Sequence, residues 1–124
     1  MKLLLMIFLH IVDDFYFQTN SFLANGKQQE WWRQQKGFTY RYRFDYIPPL
    51  IFHAFSWTFM IMLPIAYSMG FQLNIEFFLM FIYNVFLHGM TDHAKANLLE
   101  INLVQDQAIH LFQIIATFWV FREV

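Results

Sequence analysis

The sequence predicts an all-α fold, a four-helix transmembrane bundle with a short interfacial helix or loop between the first two spans. Three observations predict it. The 124 residues are 58% hydrophobic and 22% aromatic. Only 14% are charged, against about 25% in an average soluble domain. Four apolar segments of about 18–22 residues recur along the chain, near the ~20 that cross a hydrocarbon core. A soluble four-helix bundle is the alternative, but 17 Phe are more than so small a soluble core would hide. One domain, residues 1–124, is the expectation for this length.

The first span is expected over about 3–24, ended by the helix-stop pair Asn25 and Gly26. It is not expected to be a cleaved signal, because Asp13 and Asp14 follow the apolar run and no small-x-small site does. The second, about 47–67, opens on Pro48 and Pro49, which a first helical turn tolerates. Pro64 is expected to kink or end it. The third runs over about 74–91 and the fourth over about 101–121.

Residues 25–46 form a basic aromatic loop, with Lys27, Arg33, Lys36, Arg41 and Arg43 interleaved with Trp31, Trp32, Tyr40, Tyr42 and Tyr46. A membrane interface selects that mixture, so membrane lipids are the expected partners. Nucleic acid is not expected, since the formal net charge is −1 and the basic stretch is short. Loop 25–46 carries five basic residues, the loop after the second span none, and loop 92–100 carries Lys95. The bias predicts a multi-pass protein of a bacterial inner membrane, with loops 25–46 and 92–100 cytoplasmic. No cysteine is present, which removes disulfides, thiolate metal sites and a Cys nucleophile.

Polar residues recur inside the spans at helical spacing. His10, Asp14 and Gln18 stand four apart; Asn84, His88, Asp92 and Lys95 are spaced 4, 4 and 3; Asn102, Asp106, His110, Gln113 and Thr117 are spaced 4, 4, 3 and 4. Each set makes one stripe of its helix. His53, with Ser56 a turn later, comes from the second span. At ~1.5 Å per residue the ionisable groups of all four spans fall in one half of the membrane. A charge in the bilayer centre costs about 2.5–3.5 kcal/mol on insertion scales, so these groups are expected to face one another.

Two arrangements fit. His10, Asp14, His53, His88, Asp92, Asp106 and His110 could ligate a divalent metal such as zinc, as i, i+4 ligand pairs do in bundles. Asp14, Asp92 and Asp106 would then be the catalytic carboxylates, with Gln18 and Lys95 as supporting or substrate-binding groups. Alternatively the same residues form a hydrogen-bonded network in which Lys95 neutralises an Asp. Asp13 falls on an adjacent face and is expected to be a cap-like or interfacial acid. His93 is expected to be solvated. No phosphate loop, nucleophile elbow or H-E-x-x-H motif is present.

The stretches "LHIVDDFYFQ", "LANGKQQEWW", "YIPPLIFHAFSWTFMIMLP", "LHGMTDHAKAN" and "INLVQDQAIHL" resemble domain-of-unknown-function family 3307, small polytopic membrane proteins of bacteria, phages and prophages. Its pattern is matched by His10, Asp14, Phe15 and Gln18; Lys27; His53; His88, Asp92 and Lys95; and Asp106, Gln107 and His110. The resemblance implies an inner-membrane protein and adds Lys27 and Gln107 to the candidate site, although Gln107 does not share the helical face of His110. It implies no reaction. The His/Asp centre makes a metal-dependent membrane hydrolase the leading expectation, and a looser similarity to membrane-bound metal-dependent hydrolases adds a little to it by analogy. The alternative is a non-enzymatic phage membrane protein that binds a host membrane protein or other membrane component, for superinfection exclusion or against host defence.

Overall fold

A computed structural model describes residues 1–17 and 22–124. The described residues are helical, with no strand. Six α-helices follow in order: α1 (Lys2–Val12), α2 (Phe22–Gly26), α3 (Gln29–Arg33), α4 (Ile47–Ser68), α5 (Ile75–Ala96) and α6 (Leu103–Val120). A π-helical turn, Asp13–Phe17, continues α1, and a 3-10 turn, Tyr40–Tyr42, precedes α4.

Helix α4 is the centre of the fold and packs against both α1 and α5, while α6 closes the bundle against α5 and α1. Their meeting faces bury Met6, Trp57, Ile61, Met62, Ile65, Phe77, Ile114 and Phe121. The opposite faces are apolar too. Leu4, Phe8 and Ile11 on α1, Phe52, Phe55 and Phe59 on α4, Phe78, Ile82 and Phe86 on α5, and Phe112, Ile115 and Trp119 on α6 are all exposed.

The helix ends follow local chemistry. Pro48 and Pro49 occupy the first turn of α4, where no intrahelical N–H is needed. Pro64 does not end this helix, which runs on to Ser68. Gly70, at φ +60°, and Phe71, at φ +59°, are the left-handed residues of the reversal that follows. Asn74 caps α5 by accepting from Phe77 N–H at 2.9 Å. Asn102 and Gln105 form a reciprocal capping box on α6. Asn102 therefore ends its stripe as a cap on the exposed surface.

The expected spans compare as follows. Those over 47–67, 74–91 and 101–121 correspond to α4, α5 and α6, with α5 one turn longer at its C-terminal end. The span over 3–24 is not one continuous α-helix, because the π-turn interrupts it at Asp13. Among the described residues a single segment, Tyr40–Ser68, is long and apolar enough to cross a membrane, with a mean hydropathy of 1.6. Inward-facing His, Asn, Asp and Gln lower the hydropathy of the other long helices, although their outer faces are apolar.

Candidate metal centre

The polar stripes converge at one end of the bundle, where α1 ends, α4 begins, α5 ends and α6 begins. His53, His88, Asp92, Asp106 and His110 are buried there, and the Asp14 side chain is only 10% exposed. Asp92 is the hub. Its Oδ2 lies 2.8 Å from His53 Nε2, 3.0 Å from Lys27 Nζ and 3.4 Å from His88 Nε2. Its Oδ1 lies 3.4 Å from His110 Nε2. Asp106 Oδ1 lies 3.2 Å from the same His110 nitrogen, and its Oδ2 takes Lys95 Nζ at 3.2 Å.

The hydrogen-bond directions can be fixed by starting from groups that only donate or only accept. Trp57 Nε1–H, a donor only, reaches His10 Nδ1 at 2.8 Å. His10 therefore carries its proton on Nε2 and donates it to Gln107 Oε1 at 3.0 Å. The Gln107 amide nitrogen then donates to Asp106 Oδ2 at 3.1 Å and to Asp14 Oδ2 at 3.4 Å. The 3.6 Å approach of His10 Nδ1 to Asp14 is not a hydrogen bond, since that nitrogen turns its lone pair to Trp57. Both His10 nitrogens are thus engaged. His10, one of the expected ligands, orients Gln107 instead of facing the centre.

A second chain fixes His110. Gln113 Nε2 donates to the Asn84 backbone carbonyl at 3.3 Å and to Asn84 Oδ1 at 3.2 Å. Its Oε1 is then the acceptor toward His110 Nδ1 at 3.3 Å, so that nitrogen holds the proton. Asn84 donates to Thr117 Oγ1 at 2.8 Å, and Thr117 donates to the Gln113 carbonyl at 2.7 Å. The other ring nitrogen, His110 Nε2, lies between the carboxylates of Asp92 and Asp106. Two carboxylates meeting at one ring nitrogen in a buried space need a cation between them, either a proton on Nε2 or a metal ion. Donation of the other ring N–H to a carbonyl oxygen is how a metal-bound histidine is held.

Among the described residues, Asp14 Oδ1, His88 Nδ1 and Nε2, Asp106 Oδ1 and His110 Nε2 are buried without a hydrogen bond. Such orphans are rare unless an ion or water completes them. The rings of His88 and His110 stack at 4.1 Å, and Trp57 stacks on His88 at 4.2 Å. Two overlapping groups could hold a metal ion: Asp14, His53 and His88, and His88, Asp92 and His110, each with its ligand atoms within 4.8 Å of one another.

Asp13 and His93 differ from their expected places, and Lys27 and Gln107, which the family resemblance added to the site, do reach it. Asp13 is buried and accepts from Ser56 Oγ at 2.9 Å, so it is not an interfacial acid. Both Asp13 and Asp14 lie on the π-helical turn, Asp13 buried and the Asp14 side chain 10% exposed. Gln107 enters the site from a face beside that of His110. Lys27 reaches Asp92 from the loop because Asn97 clamps its segment: Asn97 Nδ2 donates to the Lys27 carbonyl at 2.9 Å, and its Oδ1 accepts from Gln29 N–H at 2.6 Å. His93 is half-buried, stacked on Tyr46 at 5.9 Å and bonded to Asn97 at 3.1 Å, so it is not fully solvated. Gln18 lies outside the described residues. No protein-family profile, curated protein or solved structure matches the chain.

Proposed function

We propose that this chain is a multi-pass membrane protein whose buried His/Asp centre binds one divalent metal ion, zinc being the best match, and uses it for hydrolysis. The observation that carries the metal is His110. Its Nδ1 is committed to Gln113, and its Nε2 faces two carboxylates, which a divalent ion would bring together. Imidazole suits zinc, and mixed nitrogen and carboxylate sets are common at hydrolytic zinc. The ligand candidates are His53, His88, His110, Asp14, Asp92 and Asp106. A divalent ion there would activate a bound water. A carboxylate not engaged as a ligand would take that water's proton. Gln107 and Lys95 hold Asp14 and Asp106 in place, and Lys27 holds Asp92.

Membrane placement is supported by the apolar outer faces of α1, α4, α5 and α6. A bacterial or phage-encoded inner-membrane protein with loops 25–46 and 92–100 cytoplasmic agrees with the charge bias of the loops and with the resemblance to family 3307. One observation favours the non-enzymatic alternative. Lys27–Asp92, Lys95–Asp106 and the bridging Gln107 form part of a network that would bind the helices together without a metal.

Elemental analysis of protein purified in detergent, repeated for His88→Ala and His110→Ala, separates the two. The expected result is near-stoichiometric zinc or another divalent metal, lost in both variants. Metal-free wild-type protein that is as stable as after zinc addition would sink the metal centre.

A further inference from the structure

Beside the centre lies a cavity of about 140 Å³, lined by Asp14, Lys27, His53, Asp92, Lys95 and Gln107 among others. At ~30 Å³ per water, it has room for a few waters or one tetrahedral oxyanion. It is too small for a nucleobase or a sugar in addition. Its two lysines are accessible, their side chains 11% and 28% exposed. An ammonium group carries three donors. Lys27 Nζ spends one on Asp92 and Lys95 Nζ one on Asp106, leaving each with donors for a ligand in the cavity. Phe15 and Leu103 also line it and are each more than half exposed.

We propose that this cavity binds the phosphoryl group of a phosphate monoester, with Lys27 and Lys95 as its cationic walls, and that it does so more tightly when the metal is bound. The inference rests on the metal centre proposed above. Asp14, Asp92 and Asp106 outnumber Lys27 and Lys95 by one, so without a metal the fixed carboxylates oppose an anion in the cavity. A divalent ion adds two positive charges beside the cavity and favours one. Anion and metal binding are then linked, and each raises the affinity of the other by the same factor. The organic part of the ester leaves the cavity past Phe15 and Leu103, which favours an apolar alcohol. Hydrolysis there adds one water: its oxygen joins phosphorus, the bond from phosphorus to the alcohol oxygen breaks, and the alcohol leaves with a proton. No other reactant is needed.

The test uses the full chain in nanodiscs of phosphatidylcholine, with equilibrium dialysis of radiolabelled inorganic phosphate against zinc-loaded and chelator-treated protein. Zinc content is measured in parallel. Phosphate is expected to bind the zinc-loaded protein at least about tenfold more tightly than the chelated one. Lys95→Gln should lose about tenfold while keeping its zinc, and Lys95→Arg should retain most of the binding. A second arm adds phosphatidic acid to the nanodiscs. Displacement of the label supports a lipid headgroup as the source of the phosphoryl group, and label retained beside phosphatidic acid supports a soluble monoester. Equal phosphate binding with and without zinc, or wild-type binding by Lys95→Gln, overturns the proposal. Zinc without phosphate binding overturns it and leaves the metal centre standing. Absence of zinc overturns both.

Discussion

Gln107→Glu is close to isosteric and changes only one end of the side chain. The oxygen that accepts from His10 remains, while the amide nitrogen becomes a second carboxylate oxygen. That nitrogen donates to Asp106 Oδ2 at 3.1 Å and to Asp14 Oδ2 at 3.4 Å. The substitution therefore replaces two attractive contacts with two repulsive ones. Hydrogen bonds to charged groups contribute about 1.5–3 kcal/mol each. A like-charge pair at such distances costs about 4 kcal/mol at the effective dielectric of a half-buried site. Lys95 beside Asp106 offsets part of this, and protonation of the new carboxyl would relieve another part. The expected net loss is ~3–5 kcal/mol in the metal-free protein. In a thermal unfolding scan monitored by Trp fluorescence, that is a fall in Tm of ~10 °C or more. Zinc should recover part of it, because the added carboxylate lies beside the cation. Metal-free Gln107→Glu melting with the wild type would refute the bridging role of Gln107 and the proton order from Trp57 through His10.

Three further outcomes follow from the same geometry. Trp57→Phe removes the donor to His10 Nδ1, and nitrogen-15 NMR of labelled histidine should then show His10 losing its fixed Nε2–H tautomer; an unchanged spectrum would contradict the assignment. Thr117→Val leaves Asn84 Nδ2 short of its 2.8 Å acceptor in a buried site, so a loss of about 1–3 kcal/mol in stability is expected, read as a lower unfolding midpoint. Asn97→Ala releases the segment that carries Lys27; faster proteolysis within 25–46 is expected, and wild-type cleavage rates would show that the clamp does not hold this loop.

The long helices were legible because apolar length and helical spacing are local properties. Asn84, His88 and Asp92 lie buried on one face of α5, and Asp106, His110, Gln113 and Thr117 on one face of α6, as their three- and four-residue intervals predict. Asp14 and His53 join them at the end of the bundle that counting residues along each helix indicates. The remainder depended on contacts between elements. Asp13 is buried on a π-turn, and no residue type in "DDFYF" demands one. Trp57 resembles any other core aromatic until its indole N–H is seen to face His10. Lys27 stands in a loop of five basic residues; only the family resemblance marked it, and the contact with Asn97, 70 residues away, is what holds its segment beside the centre. His10 matched the ligand pattern by spacing, but two hydrogen bonds use both of its nitrogens.

The central claim is that buried histidine nitrogens and carboxylates surround one divalent ion. X-ray absorption at the zinc edge of the loaded protein in nanodiscs tests it most directly. The account predicts a first shell of nitrogen and oxygen at about 2.0–2.2 Å, with the multiple-scattering signature of two or more imidazoles. That signature should weaken in His110→Ala. A shell of oxygen alone, or an imidazole signal that His110→Ala leaves unchanged, would contradict it.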